Sequence, residues 1–303
     1  MNSKIAKLLK NQWYFGTSSW KYPGWQGLIY HHPYSSDKNF QESCLKEYSN
    51  YYSCVGVDHT YYSWPTSKGF SKYFEQTTDS FQFVLKATEK VTVFKYPTLP
   101  RYGKEAGKLN DSFLEPNIFQ EKFLAPLENY KSRIGPIMFE FSQFQPGTFQ
   151  RGSEFVERLD HFLEKVSSNR DFKFAVEIRN ANWLHPSYFE CLVRHGVGHV
   201  FNSWSRMPLI REQFEKALPF KLPFYVARLL LNPGTQYQQA VEAFSPYDEL
   251  HQELTEVRLS VVDLLKESLV RNIRAYILVN NRFEGCAPKT IEGIFRMLGS
   301  QVQ

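Results

Sequence analysis

The chain has no stretch that approaches the roughly 18 consecutive apolar residues of a membrane span. Its opening segment, Met1 to Gln12, is polar and basic, with only Ile5, Ala6, Leu8 and Leu9 apolar. That segment lacks the apolar centre of a secretory signal. Cysteine is scarce. Cys44, Cys54, Cys191 and Cys286 stand far apart, with no C-x-x-C and no Cys/His cluster of zinc-finger spacing. At 303 residues a disulfide scaffold is unnecessary, so reduced thiols in a cytoplasmic protein are expected. Glycine-rich phosphate loops are missing too. Neither G-x-G-x-x-G nor G-x-x-x-x-G-K-[ST] occurs, and neither H-E-x-x-H nor G-x-S-x-G is present. Excess charge is small: 36 Lys+Arg against 31 Asp+Glu give +5. That balance permits an anionic ligand but falls short of a dedicated nucleic-acid binder.

What the chain has in excess is aromatic residues, 17% in all, with 26 Phe, 18 Tyr and 6 Trp. Such side chains are costly to leave on a surface, so they should fill a core and line a cleft. Eight short runs rich in Val, Ile, Phe and Tyr read as strands. They are Trp13–Ser18, Ser53–Asp58, Phe81–Lys86, Pro136–Phe141, Lys173–Ile178, Val197–Asn202, Phe224–Leu229 and Ala275–Val279. Helix-sized segments follow them, among them Phe40–Tyr51, Ser153–Ser167, Pro186–His195 and Tyr247–Asn272. The 3-and-4 spacing of Phe155, Leu159, Phe162, Leu163 and Val166 marks one apolar helical face. Strand–helix alternation implies a parallel sheet. Eight strands without a Gly-rich first turn favour a closed barrel over an open doubly wound sheet. The predicted fold is α/β, a single (β/α)8 TIM barrel over residues 13–298 between short tails, 1–12 and 299–303. An extended loop and helix insertion, 87–133, follows the third strand and is basic at its start.

Barrel enzymes carry their chemistry at the C-terminal ends of the strands. Here those ends are polar: Ser18 and Ser19, Asp58 and His59, Lys86, Glu140, Glu177 with Arg179, Asn202, Arg228, and Asn280 with Asn281. Glu177 and Arg179 are two apart on one strand and face the same side. In an apolar run such charges must be paired or face a ligand. They fit a structural ion pair or a carboxylate for acid/base work beside a guanidinium for an anion. Glu140 is a second carboxylate at a similar level. Lys86 fits a Schiff-base nucleophile, an anion-binding cation or a snorkelling side chain. Arg228 adds a third cation, and the three suggest an anionic ligand. Trp20, Tyr22 and Trp25 after the first strand fit a stacking wall or a hydrophobic plug. Tyr61, Tyr62 and Trp64 repeat the theme after the second. The case for a catalytic metal is weak, because of eight His only His59 sits squarely at a strand end.

Taken in order, these segments resemble the YecE-like family, a bacterial and archaeal domain of unknown function that adopts a TIM barrel. Its opening Gly-Thr-Ser-Gly-Trp is similar to Gly16-Thr17-Ser18-Ser19-Trp20, with Tyr22-Pro23 and Trp25 after it. Its second motif is similar to Gly56 through Tyr62 with Pro65. Its Phe-x-Phe-x-x-Lys resembles Phe81 through Lys86, and its Val-Glu-x-Arg…Trp is met by Val176-Glu177-Ile178-Arg179 and Trp183. Its later Arg falls on Arg228, and its Asn-Asn on Asn280-Asn281. Departures are Gly56 for a Glu, Val93 for a His, Glu140 for a Gln, Leu230-Leu231 for His-Gly, and Asn202 or Ser203 for an Asp.

The resulting expectation is a cytoplasmic enzyme, of hydrolase or lyase type, acting on an anionic small molecule or phosphoester. Glu177, Lys86 and Glu140 are its catalytic candidates. Arg179, Arg228, Asn280, Asn281, His59, Tyr61, Trp20 and Tyr22 are its substrate-binding candidates. No metal ligands and no cofactor are assigned, a divalent metal being the minor alternative, and no membrane partner is expected. The second reading is a non-catalytic module that binds nucleic acid or sugar.

Overall fold

The computed structural model describes residues 12–168, 171–231 and 237–301. Eight parallel strands form one sheet: β1 (Trp13–Thr17), β2 (Cys54–Val57), β3 (Gln82–Lys86), β4 (Ile134–Phe141), β5 (Phe174–Ile178), β6 (Gly198–Asn202), β7 (Phe224–Leu229) and β8 (Arg274–Val279). Neighbours run β1-β8-β7-β6-β5-β4-β3-β2, so the sheet curls into a nearly closed (β/α)8 barrel, as the strand–helix alternation predicts. The seam lies between β1 and β2. There the Ser53 amide donates to the Phe15 carbonyl, and the Phe15 amide to Ser53 Oγ, each at 3.1 Å. Two glycines permit this approach. A Cβ at Gly16 would sit 1.9 Å from the Cys54 carbonyl oxygen, and one at Gly56 2.9 Å from that of Ser18.

The principal helices around the barrel are α1 (Asp37–Tyr48), α2 (Ser67–Phe74), α3 (Gly152–Val166), α4 (Pro186–Arg194), α5 (Ile210–Ala217), α6 (Tyr237–Phe244), α7 (Thr255–Val270) and α8 (Ala287–Gln301). Ser36 and Thr66 cap α1 and α2 by accepting from the Asn39 and Gly69 amides. Between β3 and β4 the chain is long. It ends in a succession of α, π and 3-10 turns over 116–133 instead of one regular helix. Two helices differ appreciably from their predicted bounds: the one expected over Phe40–Tyr51 lies three residues earlier, and the one expected over Tyr247–Asn272 starts late. The apolar spacing extends upstream through Tyr247, Leu250 and Leu254, yet α7 begins at Thr255. The His251 amide is taken by the Glu284 carbonyl and the Leu254 amide by the Glu284 carboxylate, which hold that stretch out of helical register. No described helix is long and apolar enough to cross a membrane.

Most aromatics lie between sheet and helices. Phe119, Phe139, Phe162 and Phe174 pack there, mostly tilted or edge-on, with centroids 5.1–6.2 Å apart. Each fully buried ring of this kind stabilises the fold by roughly 2–3 kcal/mol. Inside the barrel the strands contribute Tyr14, Cys54, Val84, Met138, Ala175, Val200, Val226 and Leu278 as an apolar filling. All four cysteines are buried and unpaired.

Candidate functional site

Side chains alternate across a strand, so the inward parity of that filling can be followed upward. It leads from Tyr14 to Ser18, Cys54 to Asp58, Val84 to Lys86, Met138 to Glu140, Ala175 to Glu177, Val200 to Asn202, Val226 to Arg228, and Leu278 to Asn280. The apolar interior therefore gives way to a polar layer at the C-terminal mouth. Glu140 pairs in register with Glu177, and Asn202 with Arg228.

Five of these mouth residues, joined by Arg179 two positions beyond Glu177, form one ion network. Glu140 Oε2 lies 2.8 Å from Lys86 Nζ and 3.0 Å from both Arg179 Nη2 and Arg228 Nη1. Glu177 receives Arg179 through Nε at 3.2 Å and Nη2 at 3.1 Å, and its other oxygen receives Arg228 Nη1. Asp58 Oδ1 closes the ring with longer contacts, 3.7 Å to Lys86 and 3.8 Å to Arg228. Three cations thus meet three carboxylates. Burial by itself would raise the Glu140 carboxyl, but Arg179, Lys86 and Arg228 outweigh it and hold it well below the usual range. Burial disfavours the Arg228 cation, yet Glu177, Glu140 and Asp58 push its guanidinium above its ordinary value. Glu140 is therefore a locked anion and Arg228 a locked cation.

Solvent reaches this network unevenly. The Glu177 side chain is 0% exposed and Arg228 3%, whereas Asp58 is 39% exposed. Lys86 and Arg179 keep narrow edges of 11% and 12%. Lys86 Nζ stands 4.7 Å from the Tyr61 ring centroid, and the Arg179 guanidinium 4.0 Å from that of Trp204. Beside the network a cleft of about 680 Å³ runs between the 92–102 and 142–148 loops. Tyr61 and Ser142 line its near end and Lys95, Arg101 and Tyr102 its far side. Arg101 is braced by Glu89 at 3.0 Å. A hollow of about 740 Å³ lies at the opposite end of the barrel, around Lys173, Phe224 and Arg274.

The sequence-predicted residues divide accordingly. Glu140, Glu177, Lys86, Arg179 and Arg228 come together, with Tyr61 against Lys86. The others do not join them. Asn280 and Asn281, expected to orient substrate, instead hold backbone. Asn280 caps the turn Asn281–Glu284 through the Arg282 amide, and Asn281 Oδ1 accepts from the Ala287 amide. Trp20 is 4% exposed and packs edge-on to Tyr73, while Tyr22 packs on Trp25 and Tyr247. Neither ring presents an open stacking wall; the first loop is a hydrophobic plug. His59 turns toward Phe70 and Tyr73 on α2. Two residues of the constellation, Asp58 and Trp204, lie outside the predicted set. Asp58 carries the second strand's inward parity one step past its end, a signal present in the sequence. Trp204 lies beyond β6, and nothing local in the sequence marks it.

Comparison with known proteins agrees with this architecture. Residues 14–303 match the family described as "Protein of unknown function DUF72". Curated relatives include UPF0759 protein YecE of Escherichia coli K12, 26% identical over 176 residues, and UPF0759 protein YunF of Bacillus subtilis 168, 25% identical over 169. These matches cover 58% and 56% of this chain, and it spans only about half the length of those relatives, 50% and 54%. A solved DUF72 family protein from Enterococcus faecalis V583 shares the fold at 17% identity, with a TM-score of 0.62 over 95% of both chains. One from Thermotoga maritima MSB8 does so at 21%, with a TM-score of 0.58 over 95% of this chain and all of that one. The chain belongs to the DUF72 family, and the charged layer at its barrel mouth is the family member's candidate site.

Proposed function

We propose that the protein is an enzyme of hydrolase or lyase type that acts on a small anionic molecule at the C-terminal mouth of the barrel. The observation that carries this reading is the uneven exposure of the ion network. Burying the five charges of Lys86, Glu140, Glu177, Arg179 and Arg228 costs several kcal/mol per ion before pairing, and a barrel does not need them to close. Such a cost is expected where charges are preorganised for a ligand. Asp58 is the one half-open carboxylate, and its contacts to Lys86 and Arg228 are the longest in the network. An incoming carboxylate or phosphate takes over the edge of Lys86, with Arg179 beside it. Displaced from those cations, Asp58 is free to exchange a proton with the substrate. Glu140, Glu177 and Arg228 act as the fixed frame that orients Lys86 and Arg179. The cleft between the 92–102 and 142–148 loops accommodates the rest of the substrate.

The test is a panel of phosphomonoesters, phosphodiesters and small hydroxycarboxylates, assayed with the wild type and two variants. Asp58→Asn should keep the fold and lose turnover by about 10²–10⁴-fold. Lys86→Met should raise KM for the anionic substrate. Full turnover by Asp58→Asn, with loss confined to a folded Glu177→Gln, would transfer the proton-handling role to Glu177.

A further inference from the structure

We propose that Asp160, Cys191 and His195 form a divalent-metal site suited to zinc, on the flank of the barrel near its N-terminal end. Cys191 lies on α4 and His195 directly follows that helix, four positions on, so the two share a face. Asp160 meets them from α3. One carboxylate oxygen, the Cys191 Sγ and one imidazole nitrogen all lie within 4.8 Å of one another. Tetrahedral zinc with its usual bond lengths needs such atoms about 3.3–3.8 Å apart, which side-chain rotation supplies. Thiolate, imidazole and carboxylate together form a donor set that zinc accepts and magnesium or calcium does not.

Three protein ligands leave a fourth position. His195 and its neighbours Arg194 and Gly196 line the 740 Å³ hollow at this end of the barrel, so that position has access to water. Cys191 is buried, but the His195 and Asp160 side chains keep 11% and 36% exposure and give a metal its route in. Without metal, Asp160 Oδ1 is shared by His195 Nε2 at 2.8 Å and Arg194 Nη1 at 2.6 Å. The Arg194 side chain is 62% exposed and can swing into solvent. It is a stand-in cation that a metal must displace. On binding, the Cys191 thiol proton passes to solvent as the sulfur–metal bond forms, and no redox change is involved. The site is remote from the mouth, so its test is independent of the proposed activity.

Metal-stripped protein titrated with Co²⁺ should bind one equivalent. It should show a thiolate charge-transfer band in the near ultraviolet with tetrahedral visible bands, and Zn²⁺ should displace the cobalt. Cys191→Ser should abolish the charge-transfer band, and His195→Ala should weaken binding at least about tenfold. Arg194→Ala should tighten it severalfold by removing the competing cation, an effect a purely structural ion pair would not produce. Should Cys191→Ser fail to fold, Asp160→Asn should keep the band with affinity lowered about tenfold or more. A folded wild type without the thiolate band, an undiminished band in folded Cys191→Ser, or unchanged affinity in Asp160→Asn would overturn the site.

Discussion

Two buried ion clusters in this molecule are built from similar parts and arranged differently. One is Arg258 on α7 with Glu284 in the turn after β8. Arg258 meets Glu284 through Nε at 3.0 and 3.1 Å and Nη2 at 2.7 Å, and sends Nη1 to Glu253 at 3.0 Å. Glu284 also accepts from the Leu254 amide and from Thr290 Oγ1. Gly293 is small so that Arg258 fits: a Cβ there would sit 2.4 Å from Nη1. At the mouth of the barrel, by contrast, three cations share three carboxylates. Arg228 Nε has no partner, and half-open Asp58 reaches its cations only at 3.7 and 3.8 Å, whereas Glu253, though more exposed, holds Arg258 at 3.0 Å. A saturated, sealed pair fastens an outer helix to the strand-end turns. An unsaturated network with one open edge is what a site for a ligand requires.

The comparison breaks first at its structural pole. Glu284→Gln leaves a sealed guanidinium opposed only by Glu253, which is 57% exposed. Urea unfolding should show a loss of about 3–5 kcal/mol. A loss below about 1 kcal/mol, the scale of a surface pair, would mean that this cluster is no fastening at all.

Glu140→Gln comes next, because the remaining carboxylates still neutralise part of the charge. About 2–3 kcal/mol of destabilisation at neutral pH is expected. The pH dependence is the sharper reading. The Glu140 carboxyl is held below its unfolded value, near 4.3 for a model glutamate. Its contribution is therefore complete above that unfolded value and is lost as pH falls through the folded one. The gap between wild type and Glu140→Gln should begin to narrow below about pH 4 and keep narrowing as pH falls toward the folded value. His199, which burial lowers to about 3, also removes stability as pH falls below its unfolded value near 6.5, but equally in both proteins. Parallel curves down to low pH would show that Glu140 is not the locked anion of the network.

Why the sequence reveals some of this and conceals the rest follows from range. All eight strands are legible because each is a short β-branched or aromatic run; Phe224–Leu229 coincides with β7 to the residue. The mouth residues Lys86, Glu140, Glu177 and Arg228 are legible because a charge inside such a run has few places to go. Asn280 and Asn281 are ambiguous in the sequence because a strand-end asparagine reads the same whether it caps a turn or faces a ligand. The packing of Trp20 is concealed because its partner, Tyr73, belongs to α2, more than fifty residues on. The start of α7 is hidden for the same reason: Glu284, which takes the upstream amides, lies beyond the next strand.

Trp204→Ala touches the network more gently. The indole supports the Arg179 guanidinium at 4.0 Å, an arrangement that contributes about 1 kcal/mol when partly desolvated. Stability should fall by about that amount, and KM for an anionic substrate should rise more than kcat falls. Equal loss in both parameters would place Trp204 against the reacting group rather than behind Arg179.

The smallest effect on stability should come from the residue on which the functional reading depends most. Asp58 makes only contacts of 3.7 and 3.8 Å and is 39% exposed, so its ion pairs are screened. Asp58→Asn should change unfolding free energy by less than about 1 kcal/mol. A double-mutant cycle with Lys86→Met should give a coupling below about 0.5 kcal/mol in the free protein. With an anionic ligand present, the ligand has replaced Asp58 beside Lys86, so that coupling should shrink further. A coupling that instead grows on ligand binding would mean that Asp58 and Lys86 grip the ligand as a pair. The open edge would then be a closing clamp, and the difference between the two clusters would lie in motion rather than in saturation.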